Sequence, residues 1–149
     1  MPKTATPKPT ETFPVTVNVP VGVIANTLAS AFEGGANYWI EEIDPKAPPA
    51  AKLVRHMPDL GDGLYPHIDY PLSEGGKVLV ECSEDHPNPA RKDGRWVLDR
   101  AAIAKGLAVM AAKYPGHFGN MVDEEHGNAD AETGDVFVQC CLFGELVFG

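Results

Sequence analysis

Apolar residues along this chain follow two periods, and the switches between them mark out its elements. Val15, Val17 and Val19 alternate with Thr16 and Asn18, which predicts a short half-buried strand. From Pro20 the spacing lengthens. Ile24, Leu28, Ala31 and Phe32 share one helical face, and Pro20 suits a first-turn position whose N–H would be unpaired anyway. Gly34 and Gly35 predict the end of that helix, in the left-handed conformation of a C-terminal cap. Tyr38 to Ile43 then reads as a strand, being aromatic and β-branched. Val78 to Val80 and Arg95 to Val97 predict a hairpin over 76–82 and 95–97.

The clearest helix opens at Asp99, whose carboxylate can accept a first-turn N–H. Leu98 and Ile103 form a hydrophobic staple, the buried stripe is Ile103, Leu107, Met110 and Ala111, and Pro115 is the stop. Phe118, Met121 and Val122 suggest one more apolar turn. Val136 to Phe143 is apolar enough for a buried strand, yet Val136, Phe137, Cys140 and Cys141 recur at helical spacing. An Asp130 cap, acids at 132 and 135 and a terminal Gly144 favour helix, followed by a last strand from Glu145 to Phe148.

Helices and strands alternate only in part, so the expected class is α+β: a small mixed or antiparallel sheet against about three helices. The 149 residues fit a single domain over 13–149, preceded by a mobile proline- and threonine-rich tail over 1–12. Residues 44–72 carry six prolines and the Gly61-Asp62-Gly63 turn signal, and predict a long irregular loop.

Charge narrows the partners. A net charge of −9 repels phosphate backbones and argues against direct generic nucleic-acid binding. It leaves room for a protein with a basic surface or for a small nucleotide held by local groups. No apolar run approaches the length needed to span a bilayer, so no membrane partner is expected. Three cysteines, two of them adjacent, do not make a disulfide framework, and no secretory leader pattern opens the chain. A cytoplasmic setting follows as the expectation.

Specific catalytic signatures are absent: no CxxC pair, HExxH, P-loop lysine motif, dinucleotide fingerprint or GxSxG elbow occurs. No cofactor or metal is expected. His67 lies near Asp69, and His126 follows a run of acids, but neither has ligand spacing. Cys140 and Cys141 read as small buried hydrophobes rather than nucleophiles.

Two segments remain as candidate binding elements. In the first, Gly34 and Gly35 let a ligand approach the backbone, Glu33 and Asn37 supply orienting polar atoms, and Tyr38 and Trp39 offer planar faces. The competing reading is a helix cap followed by a core strand. In the second, Asp130, Glu132 and Gln139 would form a polar wall beside the first, and the competing reading is an acidic helix start stabilised by the macrodipole.

The same segments carry a resemblance. Leu28 to Ile40, LASAFEGGANYWI, and Asp130 to Gly149, DAETGDVFVQCCLFGELVFG, resemble paired motifs of a family of small uncharacterised bacteriophage and prophage proteins. Tyr70 to Gly76, YPLSEGG, is similar to that family's middle strand entry. The likeness runs from Val15 over about two-thirds of the chain, with the tail and the insert at 44–69 fitting less well. It implies a viral accessory protein acting in the host cytoplasm, in anti-defence by analogy, either masking a host protein or sequestering a nucleotide-like ligand. No catalytic residue carries over from it. A small hydrolase or transferase using Glu33 or His126, and a virion assembly protein, are the alternatives. A homodimer is compatible with each.

Overall fold

The computed structural model describes residues 7–56, 63–83, 95–123 and 130–149. Among them are five α-helices and one three-stranded antiparallel sheet, an α+β fold with two more helices than the sequence pattern suggests. The helices are α1 (Val21–Ser30), α2 (Pro66–Leu72), α3 (Arg100–Lys113), α4 (Pro115–Val122) and α5 (Ala131–Phe143). The strands are β1 (Ile40–Lys46), β2 (Lys77–Cys82) and β3 (Arg95–Leu98), in the order β1-β2-β3.

The sheet is amphipathic by simple alternation. Val78, Val80 and Cys82 of β2 are buried, while Lys77 between them and the turn is exposed and Leu79 and Glu81 are half-buried. Val80 lies opposite both Ile43 of β1 and Trp96 of β3, and Val78 lies opposite Leu98. The expected hairpin of β2 and β3 is therefore present. The opposite face carries Glu42 and Asp44 beside Glu81 and Arg95, with Arg95 3.6 Å from Asp44.

The core centres on α5. Every residue from Thr133 to Leu142 is buried, so this helix has no polar face and behaves as an interior element. Asp130 caps it by accepting from the Thr133 N–H at 2.9 Å, and Gly144 ends it with φ 74°, where the absent Cβ matters. Both ends follow the sequence reading. So does α3, whose Asp99 cap accepts from the Ala102 N–H at 2.9 Å. Its buried residues are Ile103, Gly106 and Met110, with Ala111 turned outward. Gly106 is there because a Cβ would overlap Cys141, so the two helix backbones meet directly at this point.

Four expectations are corrected. Residues 15–19 form no strand, since no neighbouring strand pairs with them among the described residues; Val15 and Val17 are exposed. Gly34 and Gly35 do not adopt a left-handed cap. They close a π-turn, Ala31–Gly35, that continues α1, and neither has positive φ. The stretch 44–72 is not wholly irregular: β1 runs on to Lys46, a 3-10 turn follows at Ala50–Lys52, and Pro66 takes the first position of α2. Proline is tolerated there because its missing N–H has no helical partner, and Pro71 falls in the last turn, where few bonds depend on it. Finally, Glu145 to Phe148 joins no strand. Side chains of α5 and Tyr114 hold its backbone instead, which removes the need for a sheet partner.

The N-terminal tail expectation lies partly outside the described residues, as do His86, His126 and much of the acidic run before Asp130. Residues 7–12 are exposed and without regular structure. Among the described residues no helix is long and apolar enough to cross a membrane.

Candidate functional site

The two candidate segments meet, and glycine makes the meeting possible. A Cβ at Gly35 would overlap the Ala131 carbonyl, and one at Gly134 would sit 2.8 Å from Ala31 N and 2.9 Å from Thr27 O. The π-turn and the first turns of α5 are thus in backbone-to-backbone contact. The geometry explains these glycines as close-approach residues rather than as ligand-accommodating ones.

Asp135 lies at the centre of the junction. Its Oδ2 accepts from the Tyr38 hydroxyl at 2.6 Å. Its Oδ1 accepts from Trp39 Nε1 at 2.6 Å and from Gln139 Nε2 at 2.9 Å. Gln139 faces Asp135 one helical turn away and passes the connection on. Its Oε1 accepts from the Val147 and Phe148 N–H groups at 2.8 and 2.9 Å, and its Nε2 also donates to the Phe148 carbonyl at 3.2 Å. The C-terminal segment is fastened in this way to the middle of the core helix.

Aromatic packing completes the junction. Trp39 is 1% exposed and stacks on Phe148 with centroids 5.2 Å apart and planes within 3°. Phe143 sits 5.4 Å away at a tilt and meets Trp96 edge-on at 4.8 Å. Trp39 therefore offers no open face on which a base could stack, and its planar surface serves the core.

The remaining candidates divide cleanly. Glu33, Gly34, Asn37 and Tyr38 are exposed, Gly35 is half-buried, and Gln139 is fully buried. Asp130 and Glu132 are exposed at the head of α5, on either side of Ala131 in the chain, the residue that Gly35 approaches. The polar wall expected from Asp130, Glu132 and Gln139 is thus split, two outward and one inward. The inward role belongs to Asp135 and Gln139. Asp135 had a signal in the sequence: with Gln139 it forms an i, i+4 polar pair inside an otherwise apolar helix, and buried polar groups need partners.

Titration behaviour follows from burial. The Tyr38 phenol is pushed up to about 12 by burial of its hydroxyl end, by the hydrogen bond to Asp135 and by that carboxylate's charge. The Thr133 backbone N–H holds Asp130 below its ordinary value. Burial pushes the Cys82 thiol up to about 12 and Cys140 to about 11, and it raises Cys141 as well. Thiols in this state are poor nucleophiles.

A second buried carboxylate organises the long connection. Asp69 accepts from the His56 N–H at 2.8 Å and the Tyr65 N–H at 2.9 Å. Ser73, next along, donates to the Asp69 carbonyl at 2.7 Å and accepts from the Val54 N–H at 3.0 Å. His67 is set edge-on to Phe32, 5.8 Å away, and burial lowers its pKa against the pull of Glu33 and Asp69. Burial also lowers His56. Among the described residues no group of three or more histidines, cysteines and acids is placed to hold a metal ion.

No protein family, curated protein or solved structure matches the chain.

Proposed function

We propose that the chain is a non-catalytic binding protein of phage or prophage type that masks a basic surface of a host protein, in the manner of an anti-defence factor. The observation that supports this reading is the Gly35–Ala131 contact, which brings the turn carrying the exposed Glu33 against the helix start carrying the exposed Asp130 and Glu132. Tyr38, 57% exposed, has its hydroxyl fixed by Asp135, an ordered aromatic of the kind that anchors interfaces. Exposed acids on a protein of net charge −9 steer it toward basic partners and raise association rates. Sequestration of a nucleotide-like ligand has less support, because Trp39 is covered on the side where stacking would occur. Catalysis by the cysteines has less still, given their raised thiol values.

The test is capture of basic proteins from a bacterial lysate on immobilised protein, repeated with the double variant Glu33→Lys/Glu132→Lys. Both side chains are exposed, and circular dichroism checks that the variant is folded. The expected result is capture that weakens with salt and is lost in the variant. Capture that ignores both salt and charge reversal would sink the masking reading.

A further inference from the structure

Exposed apolar surface is concentrated at one place. Of the large exposed hydrophobics among the described residues, Phe13, Val15, Val17 and Val21 fall within nine residues of chain, at 73, 81, 49 and 43% exposure. In an extended chain, Phe13, Val15, Val17 and Val19 point to the same side, so this arm presents one continuous apolar edge. Exposed contiguous apolar surface of this kind marks an interaction site.

The arm is rooted at an apolar groove. Val19 and Val21 line a cavity of about 220 Å³ beside α1 and α3, together with apolar residues that include Ile24, Leu72, Ile103 and Leu107. Val19 already packs against the core, while the three residues ahead of it in the same alternation do not. Arg100 also lines the groove. Its Nη1 donates to the Leu72 carbonyl at 2.7 Å, and its other guanidinium N–H groups have no partner among the described residues. The arm carries Glu11 two residues before Phe13. The two surfaces therefore match in both respects: an apolar edge preceded by an acid, and an apolar trough whose lining includes a cation.

We propose that this groove receives the Phe13–Val17 arm of a second copy of the chain, with Glu11 of the arm meeting Arg100, so that two chains exchange arms about a two-fold axis. The arm leaves α1 at Pro20, whose extended φ of −61° and ψ of 136° direct the chain away from the helix. Short segments that leave a domain beside the site they fit are the elements that swap, because the contacts are the same in either chain. Glu33, Asp130 and Glu132 do not line this groove, and the two readings stand or fall separately.

The experiment is native mass spectrometry and light scattering of the full chain across a wide concentration range. Three variants accompany it: Phe13→Asp/Val15→Asp, Arg100→Glu, and Arg100→Glu with Glu11→Arg. Circular dichroism confirms that each is folded. A dimer is expected. The arm variant removes only exposed side chains and should weaken the dimer by at least about tenfold, as should Arg100→Glu, while the charge swap restores it. A monomer at every concentration overturns the proposal, including one whose arm amides are protected by closure onto its own groove. A dimer indifferent to the arm variant overturns it too, since another surface would then hold the chains together. So does failure of the charge swap to restore the dimer.

Discussion

Asp135 and Asp69 are both buried acids that accept more than one hydrogen bond, yet they do different work. Asp135 takes its donors from side chains nearly a hundred positions away, Tyr38 and Trp39, and from Gln139 on its own helix. Asp69 takes its donors from backbone, the N–H groups of His56 and Tyr65. The first joins elements that are remote in sequence. The second gives order to one long connection, whose backbone would otherwise lack partners. A buried carboxylate is thus a tertiary clamp or a loop staple according to which donors surround it.

The comparison is broken most directly by Asp135→Ala. Trp39 Nε1 and Gln139 Nε2 would keep their burial and lose an acceptor, at about 1–3 kcal/mol for each orphaned donor. The expected loss is about 3 kcal/mol or more of global stability, a large share of a typical domain's total. Urea unfolding followed by Trp fluorescence measures it, and a change below about 1 kcal/mol would mean the clamp is replaceable by water. Gly134→Ala comes next. Its new methyl would press on backbone at Ala31 and Thr27 that cannot swing aside, and overpacking of this kind costs about 1–3 kcal/mol. A neutral result would show that the junction of π-turn and α5 can spread.

Asp69→Ala should act locally. Losing its two backbone bonds costs about 1–2 kcal/mol, felt as opening of residues 50–56 and 63–66 rather than of the whole domain. Hydrogen exchange separates the cases: faster exchange confined to those residues supports the staple, and uniform loss of protection would put Asp69 in the same class as Asp135.

How much of this was legible in the sequence depended on how local its cause was. The Asp99 and Asp130 caps, the Gly144 stop and the β2–β3 hairpin each rest on residues within a few positions, and all were readable. The α2 helix was hidden because its prolines look like breakers until Pro66 is known to be the first helical residue. Gly34 and Gly35 looked like a cap because helix ends often are. Gly35 is needed instead for the approach of Ala131, almost a hundred residues away, which no local pattern records. The residues 145–148 alternate like a strand, but their backbone bonds go to the side chains of Gln139 and Tyr114. For the candidate site, the two segments were visible as unusual, while their union through Asp135 needed the tertiary structure.

The smallest effect concerns the exposed end of the clamp. Tyr38→Phe removes one of the donors to Asp135, in a partly exposed position, and about 1 kcal/mol or less of stability should follow. Its sharper signature is in the titration. The fold holds the phenol neutral by raising its pKa from 10.0 to about 12. A raised acid favours the protonated native state, so this contribution is complete below the unfolded value near 10 and disappears as pH climbs through about 12. Ultraviolet absorbance of the native protein should show one tyrosine ionising late, and that late step should be missing in Tyr38→Phe. If the variant instead keeps the late step, the hydroxyl is not bound to Asp135 in solution. The clamp would then rest on Trp39 and Gln139 alone, leaving Tyr38 as an exposed aromatic.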